Sequence, residues 1–362
     1  MYKSLNCSNC SGPQQLPPGA NSSCCAICQA TTVVADPRAA SSSSQYDHVH
    51  PPNHPSLVVP SPYNHAPPGP PPAVHGTKRA VICGVSYKNT KNELEGSIND
   101  VICMKFLLVK RFNFLNPPSL CSLEETDPCR RPTKSNMRLA LSWLVQGCQP
   151  GDSLVFHFSG HGSQKKDYDG DELDGYDETL CPTDFETQGM IVDDEINAVI
   201  VKPLPHGVKL HAIIDACHSG TVLDLPFLCR MDRNGEYVWE DHRPRTGEWK
   251  GTSGGEVFSF SSCDDDQTAA DTPALSKITS TGAMTYSFIL AIERGHATTY
   301  GSMLNAMRST IRDTTNELGG GILTSLISMF LTGRTYSGEI TQIDMRVYCR
   351  EQFDVYSKPF SL

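Results

Sequence analysis

An α/β fold with a mainly parallel sheet flanked by helices is predicted from two observations. Short β-branched apolar runs alternate with helix-periodic stretches along residues 78–362, and two of the apolar runs end in glycine-rich polar clusters. Residues 79–87 (RAVICGVSY) read as the first strand. The stretch 99–112 follows as a helix facing a sheet, with Val101, Ile102, Met104, Phe106, Leu107 and Leu108 as its apolar positions. The pattern then repeats. Residues 136–145 read as a helix, 153–158 (SLVFHF) and 208–214 as buried strands, and 257–261 as a further strand. Helices near 283–294 and 300–314 and a weaker strand near 343–348 complete the series, without internal repeats.

Composition sets the outer bounds. The 362 residues are 38% hydrophobic, enough for one large core or two modest ones. Thirty Lys and Arg against 40 Asp and Glu leave a net charge of −10, so no basic field exists to hold nucleic acid or anionic lipid, and nucleic acid is excluded as a partner. The apolar stretch 322–331 contains Thr and Ser and falls short of the roughly 20 residues that span a bilayer, so no membrane span is expected. The start, MYKSLNC, lacks the charged, apolar and small-residue regions of a secretory signal. The expected compartment is the cytoplasm, with the nucleus as a second location. There the 15 Cys serve as thiols, metal ligands or nucleophiles rather than as a disulfide framework. A monomer is expected.

Residues 1–77 hold 14 of the 26 Pro, no Trp, and only Lys3, Asp36, Arg38 and Asp47 as charged groups. Such a segment cannot build a core, and its part 39–77, rich in Ser, Pro and His, reads as a disordered linker. His48, His50, His54, His65 and His75 in it read as solvated spacer. Within 1–38, Cys7-x2-Cys10 and Cys25-x2-Cys28 stand 14 residues apart, the paired spacing of a four-thiolate structural zinc site, with Cys24 as an alternative ligand to Cys25. Four thiolates close the zinc shell, so a zinc hydrolase built on them is excluded.

Two strand ends carry the candidate chemistry: Ser159-Gly160-His161-Gly162, and Asp215-Ala216-Cys217-His218-Ser219-Gly220. In open α/β sheets ligands bind beyond the carboxyl ends of the strands, so His161 and Cys217 meet at one crevice although 56 residues apart. A thiol nucleophile needs an imidazole to take its proton. His161 is assigned that part, and Cys217 the attack. The backbone N–H groups of Gly162 and Cys217 are candidate oxyanion donors. His157 and His211, inside apolar strands, read as structural, and His218 lies too close to Cys217 along the chain to be preferred. Asp215 at its strand end and Asp100 near the first helix start would pair with a guanidinium or ammonium. For Asp100 an N-cap role is an equal alternative.

These runs, with GYDETLCPTDF (175–185) and VDDEI (192–196), resemble the plant type I metacaspases, caspase-like cysteine proteases. The resemblance implies a caspase-hemoglobinase fold over 78–362, a Cys–His dyad and cleavage of protein substrates after Arg or Lys. It implies a substrate pocket at Ser97, Asp100, Ser159 and Asp215, position 97 being commonly Cys in that family. The acidic stretch 167–195 holds 12 Asp and Glu and no Lys or Arg, which is self-repelling unless solvated or neutralised by a hard cation. The resemblance implies that calcium activates through Asp177, Asp193, Asp194 and Asp224; residues 167–174 are read as solvated loop. The N-terminal segment, with Leu16-Pro17-Pro18-Gly19-Ala20 between its Cys pairs, resembles the plant LSD1-type zinc finger, a protein-interaction module. That implies partners for the finger, LSD1-type zinc-finger proteins among them, while the Pro-rich linker suits PPII-binding partners.

Residues 230–252, between a large-subunit-like part (78–229) and a small-subunit-like part (253–362), read as an exposed connecting loop. Arg230, Arg233, Arg243, Arg245 and Lys250 there are self-cleavage candidates. The resemblance further implies roles in programmed cell death and defence. A zinc-finger scaffold with little protease activity is the alternative reading.

Overall fold

The computed structural model describes residues 76–94, 96–114, 120–123, 127, 130–168, 170, 172, 175–216, 220–232, 234–261, 282–312 and 346–362, and the backbone alone at 3–6, 13–16, 22–24, 31–33, 271–272, 281 and 313–317. Cys7, Cys10, Cys25, Cys28, Arg233, Cys217 and the linker 39–75 lie outside the described residues.

Eight strands form the central sheet: β1 (Lys78–Gly84), β2 (Leu120–Leu123), β3 (Ser153–Ser159), β4 (Lys209–Asp215), β5 (Phe227–Met231), β6 (Tyr237–Asp241), β7 (Glu256–Ser261) and β8 (Arg346–Cys349). Their order across the sheet is β6-β5-β8-β7-β4-β3-β1-β2. The five strands from β2 to β7 in that order are parallel, while β8 runs antiparallel to β7 and β5, and β6 antiparallel to β5. Helices α1 (Ser97–Phe112), α2 (Lys134–Val145), α3 (Ala283–Glu293) and α4 (Tyr300–Glu317) complete the fold.

Strand alternation builds two cores, one on each sheet face. Val81, Cys83, Leu154, Phe156, Phe158, Leu210, Ala212 and Ile214 pack with Met137, Ala140, Leu141 and Leu144 of α2. The intervening Ala80, Ile82, Val155 and Ile213 pack with α1, α3 and α4. Helix α1 buries Val101, Met104, Leu107 and Leu108 and ends at Asn113, which takes the left-handed conformation that stops a helix. Ile102 and Phe106, counted in the apolar set from sequence, point outward at 59% and 60% exposure. Helix α2 starts at Lys134, two residues before the sequence boundary, because the Thr133 hydroxyl accepts from the Asn136 N–H.

The connecting segment departs from its sequence reading. Arg230 sits within β5, paired with Glu240 of β6 at 2.7 Å, so 227–241 is an antiparallel hairpin on the sheet edge rather than a loop. Its charges mask the alternation of Cys229 and Met231 with outward residues, and Trp239 is held by an Nε1–H bond to the Phe353 carbonyl at 3.1 Å. Residues 242–255 remain irregular. Outside the main sheet, Gly162–Lys166, Tyr176–Leu180 and Ile191–Val192 form a small antiparallel sheet that carries much of the acidic stretch. Among the described residues no helix is long and apolar enough to cross a membrane.

His157 and His211 are fully buried in β3 and β4, with Nε2 at 3.0 Å from the Thr285 hydroxyl and 2.8 Å from the Tyr300 hydroxyl, respectively. Burial lowers the His157 pKa to about 3, whereas the unfolded chain protonates near 6.5. The native state therefore binds fewer protons between those values, and stability is lost as pH falls below about 6.5. A His157→Gln variant keeps a donor for Thr285 but cannot titrate. Its unfolding free energy relative to the parent is expected to be constant above pH 7. Below pH 6.5 it should rise by up to about 1.4 kcal/mol per pH unit, as read from urea titrations at pH 7.5, 6.0 and 5.0. A pH-independent difference would show that His157 titrates normally.

Candidate active site

The parallel strands β1, β3 and β4 end together. Gly84 pairs with Ser159, and Ser159 with Asp215. Beyond these ends, the Gly160 N–H donates to the Asp215 carbonyl at 3.1 Å, and the Val85 N–H to the Ser159 carbonyl at 2.9 Å. Sequence reading placed the site here, at the carboxyl ends of adjacent strands.

Asp100 is 0% exposed and Asp215 4% exposed. The Ser159 hydroxyl donates to Asp100 at 2.6 Å, and the Gly282 N–H is shared between both Asp100 oxygens at 3.0 and 3.1 Å. Asp215 accepts from the Thr285 N–H at 2.7 Å. Gly282 is the N-cap of α3 and Thr285 lies in its first turn, so one helix N-terminus, with its partial positive charge, holds both acids. Asp100 is not an N-cap of its own helix: α1 begins at Ser97 after Gly96, and the Asp100 side chain reaches away to Ser159 and Gly282. Ser97 is 2% exposed, and its hydroxyl has no hydrogen-bond partner among the described residues.

His161 is fixed by a cycle of hydrogen bonds. Its N–H donates to the Tyr87 hydroxyl at 2.9 Å, that hydroxyl donates to the Cys181 carbonyl at 2.6 Å, and the Cys181 N–H donates to the His161 carbonyl at 3.0 Å. The Tyr87 ring lies 4.7 Å from the imidazole. Tyr87 itself has a φ of 49°, a backbone conformation that a bulky residue adopts only when its surroundings compel it. His161 Nε2 lies 2.8 Å from the Asn92 carbonyl. A carbonyl only accepts, so Nε2 carries the proton and Nδ1 of the neutral ring holds the free lone pair. Gly162, the candidate oxyanion donor, is half-buried and opens the strand that follows His161.

His161, Gly162 and both acids thus sit around one set of strand ends. Residues 78–226 match the family model described as metacaspase, peptidase C14 domain. Over 364 residues the chain is 64% identical to Metacaspase-1 of Arabidopsis thaliana, spanning 99% of this chain and 96% of that protein. The chain belongs to the metacaspase family. It is also 53% identical to Metacaspase-2 of Arabidopsis thaliana over 99% of both chains, and 35% identical to Metacaspase-1 of Schizosaccharomyces pombe over 67% of this chain and 66% of that one.

In this metacaspase the acidic stretch is not a plain solvated loop. Asp177, Asp193 and Asp194 bring carboxylate oxygens within 4.8 Å of one another. Asp193 accepts from the N–H groups of Glu178 at 2.8 Å and of Asp194 at 2.9 Å. Burial first, then the Glu178 and Asp224 charges, push its carboxyl far above the ordinary range. Glu172 is driven the same way by burial and by Asp224 and Asp193. Asp224 is not part of the Asp177–Asp193–Asp194 group; its carboxylate faces the Lys250 ammonium. Asp167, read as solvated, is 9% exposed and accepts from the Gly170 and Glu172 N–H groups at 2.8 and 3.1 Å, a turn-closing role.

Of the self-cleavage candidates, Arg243 and Arg245 are exposed, Arg230 is partly covered in β5, and Lys250 is 3% exposed. Sequence reasoning passed over Tyr87, Asn92, Gly282 and Thr285. Asn92 acts through its backbone carbonyl and Gly282 and Thr285 through backbone N–H groups, so side-chain type carried no signal.

A Cβ on Gly282 would meet Asp215 Oδ2 at 2.2 Å, which forces the carboxylate to move. Gly282→Ala is therefore expected to lower kcat/KM for peptide hydrolysis by about 100-fold, the scale of an ångström-level misplacement, with the circular dichroism spectrum of the folded protein retained. Unchanged kcat/KM would show that this close approach is dispensable.

Proposed function

We propose that this metacaspase is a calcium-activated cysteine endopeptidase that cleaves protein substrates after Arg or Lys by a Cys217–His161 dyad. The observation that carries the proposal is the pair of buried acids, Asp100 and Asp215, held beside the strand end that presents His161. Two negative groups with little access to water favour a guanidinium or ammonium and repel an acidic side chain. Arginine suits the arrangement through its planar fork of donors.

In the proposed reaction His161 Nδ1 takes the Cys217 thiol proton and the thiolate attacks the scissile carbonyl carbon. The tetrahedral oxyanion accepts hydrogen bonds from the Gly162 and Cys217 N–H groups. The imidazolium, held by its Nε2–H bond to Asn92, then gives its proton to the leaving amine. A water, deprotonated by the same imidazole, hydrolyses the thioester and regenerates the thiol.

The Asp177, Asp193 and Asp194 group fits a calcium ion by its chemistry, three carboxylates with hard oxygen donors converging on one point. Calcium there supplies the positive charge that lets these acids ionise side by side. Self-processing is proposed at the exposed Arg243 or Arg245, where a basic residue and an irregular chain coincide. The four thiolates Cys7, Cys10, Cys25 and Cys28 suit structural zinc by donor type and spacing, making the N-terminal segment an interaction module in programmed cell death and defence.

Full-length protein is expected to hydrolyse a fluorogenic peptide ending in Arg only with millimolar calcium, to spare the Asp-ending control, and to lose all activity as Cys217→Ala. Cleavage of the Asp peptide would overturn the basic specificity, and activity unaffected by chelator would overturn calcium activation. Mass spectrometry of the calcium-treated protein is expected to place its cuts at Arg243 or Arg245; cuts confined to other positions would refute the assigned processing segment.

A further inference from the structure

Lys250 buries an ammonium group against the acidic cluster. Its side chain is 3% exposed, and Nζ contacts Asp224, lies 3.2 Å from Asp194 Oδ1 and 3.8 Å from Glu172 Oε1. Asp194 is shared: one of its oxygens also belongs to the group formed with Asp177 and Asp193. The Lys250 backbone is pinned separately. The Asn197 side-chain amide, itself buried, lies 2.8 Å from the Lys250 carbonyl and 3.0 Å from those of Leu223 and Asp224. The side chain is thus the movable part and the chain around it the fixed part.

We propose that Lys250 is a tethered cation that competes with the activating divalent ion for the Asp194 and Asp224 carboxylates, and so sets the calcium concentration at which the cluster fills. The inference rests on the calcium reading above and adds to it an internal competitor. A divalent ion among Asp177, Asp193 and Asp194 repels an ammonium held on the same Asp194, and with Lys250 and Asp193 buried that repulsion is only partly screened. By reciprocity, the ammonium weakens ion binding by the factor with which the ion weakens the ammonium's hold. Because Asn197 anchors the backbone, filling the site releases the Lys250 side chain toward solvent without unfolding the segment.

The test uses the full chain carrying Cys217→Ala, so that added calcium cannot trigger cleavage, and takes two measurements. In calorimetric calcium titrations, Lys250→Met is expected to bind about tenfold more tightly or better. Lys202→Met, which removes an exposed ammonium from Glu248, serves as the charge control and is expected to bind as the parent does. In amine-acetylation footprinting read by mass spectrometry, which needs no substitution at Lys250, modification of Lys250 is expected to be slow in chelator and to rise severalfold with calcium. Calcium binding by parent and Lys250→Met with equal affinity, or Lys250 reactivity unmoved at saturating calcium, overturns the competitor role and leaves the calcium reading standing. Absence of binding by both proteins overturns both readings, whereas binding by the variant alone supports the competition. Should Lys250→Met fail to fold, the footprint decides.

Discussion

Two carboxylates removed from water and held on one helix N-terminus set the terms for the rest of the structure. A buried carboxylate without partners would cost several kcal/mol. The Ser159 hydroxyl and the Gly282 and Thr285 N–H groups offset that cost by donating hydrogen bonds to the two carboxyl groups. The acids come from α1 and β4, early in the catalytic part of the chain, whereas their donors on α3 come some 70 residues or more later. The site is therefore whole only when the later segment has docked on the strands laid down before it. The buried bond between His157 and Thr285 adds a further tie between β3 and the same helix turn. The burial of these two acids and the docking of α3 on the earlier strands are thus one set of contacts.

His161 is held by different means. Nearly every restraint on His161 reaches it through the backbone: its own N–H and carbonyl, the Asn92 carbonyl and the Cys181 amide. Tyr87 contributes the one side chain, and its left-handed conformation is the local cost of aiming a ring and a hydroxyl at the same residue. An imidazole restrained in this way keeps a fixed tautomer through its Nε2–H bond to the Asn92 carbonyl.

What could be read in the sequence follows from this division. The parallel strands and the helices between them were legible because they are buried on both faces and carry continuous apolar runs. The placement of His161 and Asp215 at adjacent strand ends was legible because glycines and polar residues directly follow such runs. The strand pair Phe227–Met231 and Tyr237–Asp241 was not, since Arg230, Glu240 and Asp241 give it the charged texture of an exposed loop. Nor was the role of Lys250: a basic residue among Gly and Thr looks solvent-borne until the fold sets the Asp194 and Asp224 carboxylates beside it. Asn92 was out of reach in principle, because it acts through a backbone carbonyl that every residue possesses, and Gly282 because its close approach to Asp215 exists only in the fold.

The acidic cluster and His161 share one hairpin. The strand Gly162–Lys166 begins directly after His161 and pairs residue by residue with Tyr176–Leu180, placing Lys165 opposite Asp177 and Gln164 opposite Glu178. Leu180 leads into Cys181, whose N–H closes the cycle on His161. Glu178 accepts from Gln164 at 3.2 Å and from the Thr221 hydroxyl, and Thr221 follows directly on the run that contains Cys217. Asp177 lies on the middle strand of this sheet, and the strands on either side of it lead back to His161 and on to Asp193 and Asp194. Asp177 and the backbone that positions His161 thus belong to one hydrogen-bonded hairpin.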